Sequence, residues 1–223
     1  MAARFSDALR AAAAEVWEAQ HAHPFVRGIG DGTLDAERFR HFVRQDYLYL
    51  IDYGRLLALG CARAPDLDTM GRLAELAQAT LVTEMGLHRA LAAEWGISAA
   101  ELEAERPTPT TRSYADFLLR TAGLGDFGEL VAALLPCMWG YAEVGERLAA
   151  AAPPPHAGYA RWIAAYADPA FQAQAVWCRE LTDRVAAGLD DAGRARLRAA
   201  FVTSSRHELA FWDASWRLEG AGR

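Results

Sequence analysis

Apolar residues recur at three- and four-residue steps along most of the chain, which is the pattern of helices with one face turned inward. Phe5, Leu9, Ala13, Val16 and Trp17 predict a first helix reaching about Gln20. Residues 23–34, "HPFVRGIGDGTL", read as a loop because of their glycines and proline. Asp35 is placed to cap a second helix running to about Ala62, with Phe39, Phe42, Val43, Asp46, Tyr49, Leu50, Tyr53 and Leu57 inward. Asp68 is the candidate cap of a third helix ending at Gly96, with Met70, Leu73, Ala77, Thr80, Leu81, Leu87 and Leu91 inward.

A short helix is expected after Ser98, and "RPTPTTRSY" (106–114) leads into a helix around 114–121. "GLGD" (123–126) stops that helix and caps the next, which carries Pro136 and Cys137. Three prolines at 153–155 break the chain before a helix over 156–167. Asp168 and Pro169 read as a cap and first helical position of a helix to about Ala187. The final helix spans about 192–218, with Leu197, Phe201, Ser204, Glu208, Phe211, Trp212 and Ser215 inward. No segment sustains a period of two, and there is no internal repeat. The expectation is one all-α domain over 1–223, a compact multi-helix bundle with more helices than a plain four-helix bundle.

Two carboxylates violate the apolar stripes. Asp46 and Glu208 sit at inward positions of distant helices, where an unpaired charge costs several kcal/mol in effective terms. Each is open to two readings: a structural hydrogen bond to a neighbour, or one wall of a polar pocket. Tyr49, Tyr53, Tyr114, Tyr141 and Tyr166 also fall on or beside inner stripes. Singly they read as core tyrosines; together with the acids they suit a flat, polar heteroaromatic ligand.

Pro136 cannot donate to the carbonyl of Ala132, so a kink is expected there. That offers Cys137 at an irregular point, with Tyr141 one turn further on the same face. A thiol with a reference pKa of about 8.5 needs a cation, a helix N-terminus or a base to become a thiolate. Cys61 and Cys178 read as small core residues.

Composition narrows the classes. A net charge of -6, with the arginines scattered, gives no footprint for nucleic acid or an anionic membrane. Three cysteines without C-x-x-C spacing argue against a disulfide framework, and the N-terminal stretch lacks the layout of a signal peptide. A cytoplasmic setting is expected. "GIGDGT" (28–33) lacks the lysine and preceding strand of a phosphate loop and reads as a turn. Glu18 and His21 have di-iron spacing without a second copy. The i,i+4 pairs Glu37/His41 and Glu84/His88 read as surface or structural contacts.

Six stretches carry a family likeness in order and spacing: "HPFVRGIGDGTL" (23–34), "RFRHFVRQDYLYL" (38–50), "RPTPTTRSY" (106–114), "LLPCMWGYAEVGE" (134–146), "WIAAY" (162–166) and "FVTSSRHELAFWDASWRLEG" (201–220). From about Phe5 to Gly220 the chain resembles the TenA (thiaminase II) family, the aminopyrimidine aminohydrolases of thiamin salvage. The resemblance implies a haem-oxygenase-like fold, a homotetramer, a small-molecule substrate, and no metal or organic cofactor. It implies Cys137, Glu208 and Asp46 as catalytic residues and Tyr49, Tyr114, Tyr141 and Tyr166 as substrate-binding residues. His207 stands where an aromatic or aliphatic residue is more usual. The alternatives are a metal-dependent oxidase or haem-handling protein on the same fold, and a non-catalytic binding relative.

Overall fold

In the computed structural model, residues 4–220 are described, and among them there are helices and no strand. The first half holds α1 (Phe5–Ala12), α2 (Ala14–His21), α3 (Pro24–Asp31), α4 (Ala36–Arg63), α5 (Leu67–Gln78), a π-helical turn (Ala79–Glu84), α6 (Met85–Glu94) and α7 (Ala99–Ala104). The second half holds α8 (Pro109–Leu124), α9 (Phe127–Ala149), α10 (Ala157–Tyr166), α11 (Pro169–Ala187) and α12 (Asp191–Trp216).

Acidic and hydroxyl caps set most of the starts. The Asp35 carboxylate accepts from the backbone N–H groups of Glu37 and Arg38. Asp126 and Glu129 form a reciprocal capping box at α9, as do Ser98 and Glu101 at α7. Asp168 precedes Pro169 at the first position of α11. Each such cap is worth about 1 kcal/mol.

Four expectations are corrected. The first helix divides at Ala13, whose φ of -110° leaves the helical region. Residues 24–31 are a helix, not a loop: Pro24 starts it, the His23 ring accepts from the Phe25 N–H, and Phe25, Val26 and Ile29 enter the core. Gly28 is needed there for close approach, because a Cβ would sit 3.0 Å from the Leu34 backbone nitrogen. Asp66, rather than Asp68, caps α5. The π-helical turn then inserts a residue into the spacing. Leu81 is left 44 % exposed, and His88 is brought to 0 %.

α9 is apolar on nearly every face and lies at the centre, packed by α12, α11, α10 and α8. α4 packs against α5, α6 and α8 and closes the other side. All the inward positions expected on α4 and α12 are buried. Trp17, Trp162, Trp212, Phe25, Phe39, Phe42 and Phe201 form the bulk of one continuous core. Each contributes roughly 1.5–3 kcal/mol by leaving water.

The α9–α10 contact is close enough to exclude a methyl group. A Cβ at Gly145 would lie 2.6 Å from the Tyr166 carbonyl carbon. Gly145→Ala is therefore expected to lower stability by about 1–3 kcal/mol in urea unfolding, through overpacking. A variant as stable as the parent would mean the two helices separate freely.

Candidate active site

Cys137 sits in the middle of α9, one residue after Pro136, and its helix runs through the proline without interruption. The carbonyls of the preceding turn are held from outside: Tyr53 of α4 donates to Leu134 at 3.1 Å and Ser204 of α12 donates to Ala133 at 2.7 Å. The thiol is thus fixed where α4 and α12 meet α9. Cys137 and Glu84 keep partial exposure, whereas Asp46 and Glu208 are each 2 % exposed.

Glu208 lies on the α12 side of the thiol. The Tyr114 hydroxyl is 2.5 Å from Glu208 Oε1 and 3.0 Å from Ser204 Oγ. Tyr114 donates to Glu208, and Ser204 donates to the Ala133 carbonyl at 2.7 Å. Burial pushes Glu208 up to about 8, against the hydrogen bonds from Tyr114 and Cys137. Burial first, then the charge of Glu208, hold the Cys137 thiol well above its ordinary value, with Tyr49 partly offsetting them. Burial thus disfavours the charged form of both groups, the thiolate and the carboxylate.

Asp46 lies on the α6 side and is bound by His88, half of an i,i+4 pair whose spacing reads as a surface or structural contact. His88 Nε2 is 2.7 Å from Asp46 Oδ2, and its Nδ1 is 3.0 Å from the Glu84 carbonyl. Burial works against an imidazolium here, but the bond to Asp46 and its charge outweigh that and raise His88 above its ordinary value. Tyr166 donates to Glu84 Oε1 at 2.8 Å, and burial lifts Glu84 to about 7. Glu84 and His88 are thus the site-lining residues that sequence reasoning missed. Their signal was the i,i+4 pair, masked by the π-helical turn that rotates it inward.

Aromatic rings wall this cluster. Tyr49 stacks on Tyr114 with centroids 4.8 Å apart, and Tyr141 packs on Tyr166 at 5.0 Å and Trp212 at 5.2 Å. His207 lies flat against Tyr114, 5.1 Å away with 5° between planes, so it buttresses that tyrosine. The structure therefore brings Cys137, Glu208, Tyr49 and Tyr114 together, and ties Asp46, Tyr141 and Tyr166 to them through shared rings and charges. The indole N–H groups of Trp162 and Trp212 are buried and have no partner among the described residues. Such orphaned donors each cost about 1–3 kcal/mol and suit a site that receives polar atoms from a ligand.

A cleft of about 1100 Å³ bordered by His41, Arg44, Trp95, Arg106 and Glu219 includes none of these side chains. Among the described residues no group of three or more His, Cys, Asp or Glu is placed to hold a metal ion. Glu18 and His21 are instead engaged with Arg10 and Glu143. No described helix is long and apolar enough to cross a membrane.

The fold is haem-oxygenase-like. A solved domain from Shewanella denitrificans described as having that fold superposes with a TM-score of 0.73 at 14 % identity, over 95 % of this chain and 92 % of the other. The chain belongs to the TENA/THI-4/PQQC family, whose profile it matches over residues 10–218. It is 45 % identical to an aminopyrimidine aminohydrolase of Halalkalibacterium halodurans over 95 % of each chain. It also superposes on a TenA homologue of P. horikoshii with a TM-score of 0.89 at 32 % identity, over 96 % of this chain and 99 % of that one.

The protonated acids make stability depend on pH. From the ordinary carboxyl value of 4.5 up to about 8, Glu208 binds more proton in the folded chain than in the unfolded one, and Glu84 does so up to about 7. Stability from these groups therefore falls as pH rises through that window. Glu208→Gln is neutral throughout and should flatten the slope by up to about 1.4 kcal/mol per pH unit. Urea unfolding at about pH 5.5, 6.5 and 7.5 reads this slope directly. An unchanged slope would show that Glu208 is ionised in the fold.

Proposed function

We propose that this chain is an aminopyrimidine aminohydrolase of thiamin salvage. It hydrolyses 4-amino-5-aminomethyl-2-methylpyrimidine to the 5-hydroxymethyl compound, by addition of Cys137 to the pyrimidine ring. The family and the named relative support the activity. The observation that carries the chemistry is the placement of the Cys137 thiol beside Glu208, a carboxyl that burial pushes up to about 8.

A neutral ring accepts a sulfur nucleophile only if the charge built on a ring nitrogen is quenched. Glu208 gives its proton to that nitrogen as the thiol forms the C–S bond, and the thiol proton refills the Glu208 carboxyl. This exchange needs no free thiolate beforehand, which agrees with the raised thiol. Aromaticity is now lost, and the N–H electron pair expels the amine from the adjacent methylene carbon. Water adds to the methylene, and the C–S bond breaks to restore the ring.

Asp46 holds the exocyclic amino edge, its position set by His88. Tyr49, Tyr114, Tyr141 and Tyr166 hold the ring and its substituents; Tyr49 packs on Tyr114 and Tyr141 on Tyr166, and the Tyr114 and Tyr166 hydroxyls donate to Glu208 and Glu84. In the same reading the chain works in the cytoplasm as a homotetramer. Its three free cysteines suit a reducing compartment, and the exposed Leu67, Met70, Leu81 and Val82 on α5 and the π-helical turn offer an apolar face for subunit contact.

Two substitutions test the chemistry in a hydrolysis assay that follows release of the amine. Cys137→Ser should keep the fold and still bind the hydroxymethyl product, while turnover falls by at least about 10³-fold. Glu208→Gln should lower turnover by about 10²–10⁴-fold. Near-parental turnover in the serine variant would remove the covalent route, and in the glutamine variant would remove Glu208 as the acid.

A further inference from the structure

The cluster holds a third acid that the mechanism above does not use. Glu84 ends the π-helical turn, and its Oε1 accepts from Tyr166 at 2.8 Å. Among the described residues no hydrogen bond engages its other carboxylate oxygen. His88, one turn on, joins the Glu84 carbonyl to the Asp46 carboxylate. Glu84 and Asp46 therefore share one end of the cluster, built on α4, α6 and α10. Glu208, with Tyr114 and Ser204, forms the other end on α8 and α12. Cys137 feels the charges of all three.

The proposed substrate has a matching layout. A ring nitrogen directed at Glu208 leaves the amino and aminomethyl groups on neighbouring carbons at the far edge. Two nitrogen substituents then face two carboxylates. The ring amino group is a neutral donor, whereas the aminomethyl nitrogen is a cation at neutral pH and calls for a carboxylate with a free oxygen. We infer that Glu84, oriented by Tyr166, is a specificity-determining residue that binds the departing amine on the methylene carbon, beside Asp46 on the ring amino group. This rests on the function proposed above and adds a named subsite for the leaving group. It also gives the π-helical turn a purpose: an uninterrupted α-helix would turn Glu84 away from Tyr166.

Glu84→Gln tests the subsite, because glutamine keeps an oxygen for Tyr166 and removes only the charge. The purified full chain and the variant are assayed on aminomethylpyrimidine, and their affinity for the hydroxymethyl product, which carries no cation, is measured by calorimetry. The expected result is a kcat/KM lowered by about 10- to 100-fold with product affinity kept within about threefold. Unchanged kcat/KM, or an equal loss for product and substrate, overturns the subsite while wild-type hydrolysis still upholds the function. Absence of wild-type hydrolysis overturns the function and the subsite with it. If the glutamine variant does not fold, Glu84→Asp, shorter by one methylene, is read by the same outcomes.

Discussion

Three carboxyl groups inside an apolar bundle are the constraint around which this structure is arranged. In hydrocarbon each must be neutralised, paired or hydrogen-bonded, since a bare buried charge costs more than a typical domain's stability margin allows. The chain uses a different solution for each. Asp46 is matched with His88, Glu84 takes a bond from Tyr166, and Glu208 takes one from Tyr114, beside the Ser204 hydroxyl that donates to the Ala133 carbonyl. The same features that make the acids tolerable also make them chemically distinct, Glu208 raised by burial and Asp46 bound to His88.

The proline beside the cysteine belongs to this arrangement. Pro136 removes a backbone donor in the most buried helix, where water cannot compensate. Tyr53 and Ser204 donate to the neighbouring Leu134 and Ala133 carbonyls, so α4 and α12 are tied to α9 at the turn that carries Cys137. A weakness in one helix thereby becomes the registration point of three. Thiol, acid and aromatic wall are then held by rigid elements rather than by loops, which keeps reacting groups in place without reorganisation.

Much was legible in the chain itself. Inward stripes on the second and last helices, with Asp46 and Glu208 as their exceptions, follow from periodicity, because a 3.6-residue repeat is a property of neighbours in sequence. The caps at Asp35, Asp126 and Asp168 follow from local backbone chemistry. Residues 24–31 were less legible: glycines that usually mark turns serve here to let Leu34 and Leu148 approach a helix. That requirement lies in the packing partner, not in the segment.

By itself, then, the sequence determined the helical elements, the buried acids, the cysteine beside the helical proline and the family likeness, all encoded in local spacing or in short motifs. Tertiary structure alone decided the protonation and the pairing of those groups. His88 became the partner of Asp46 only because a π-helical turn rotates it into the core across 42 positions of chain. Glu208 is raised only because α8, α9 and α12 exclude water from it together. Desolvation and long-range contact are properties of the assembled interior, and no run of neighbouring residues contains them.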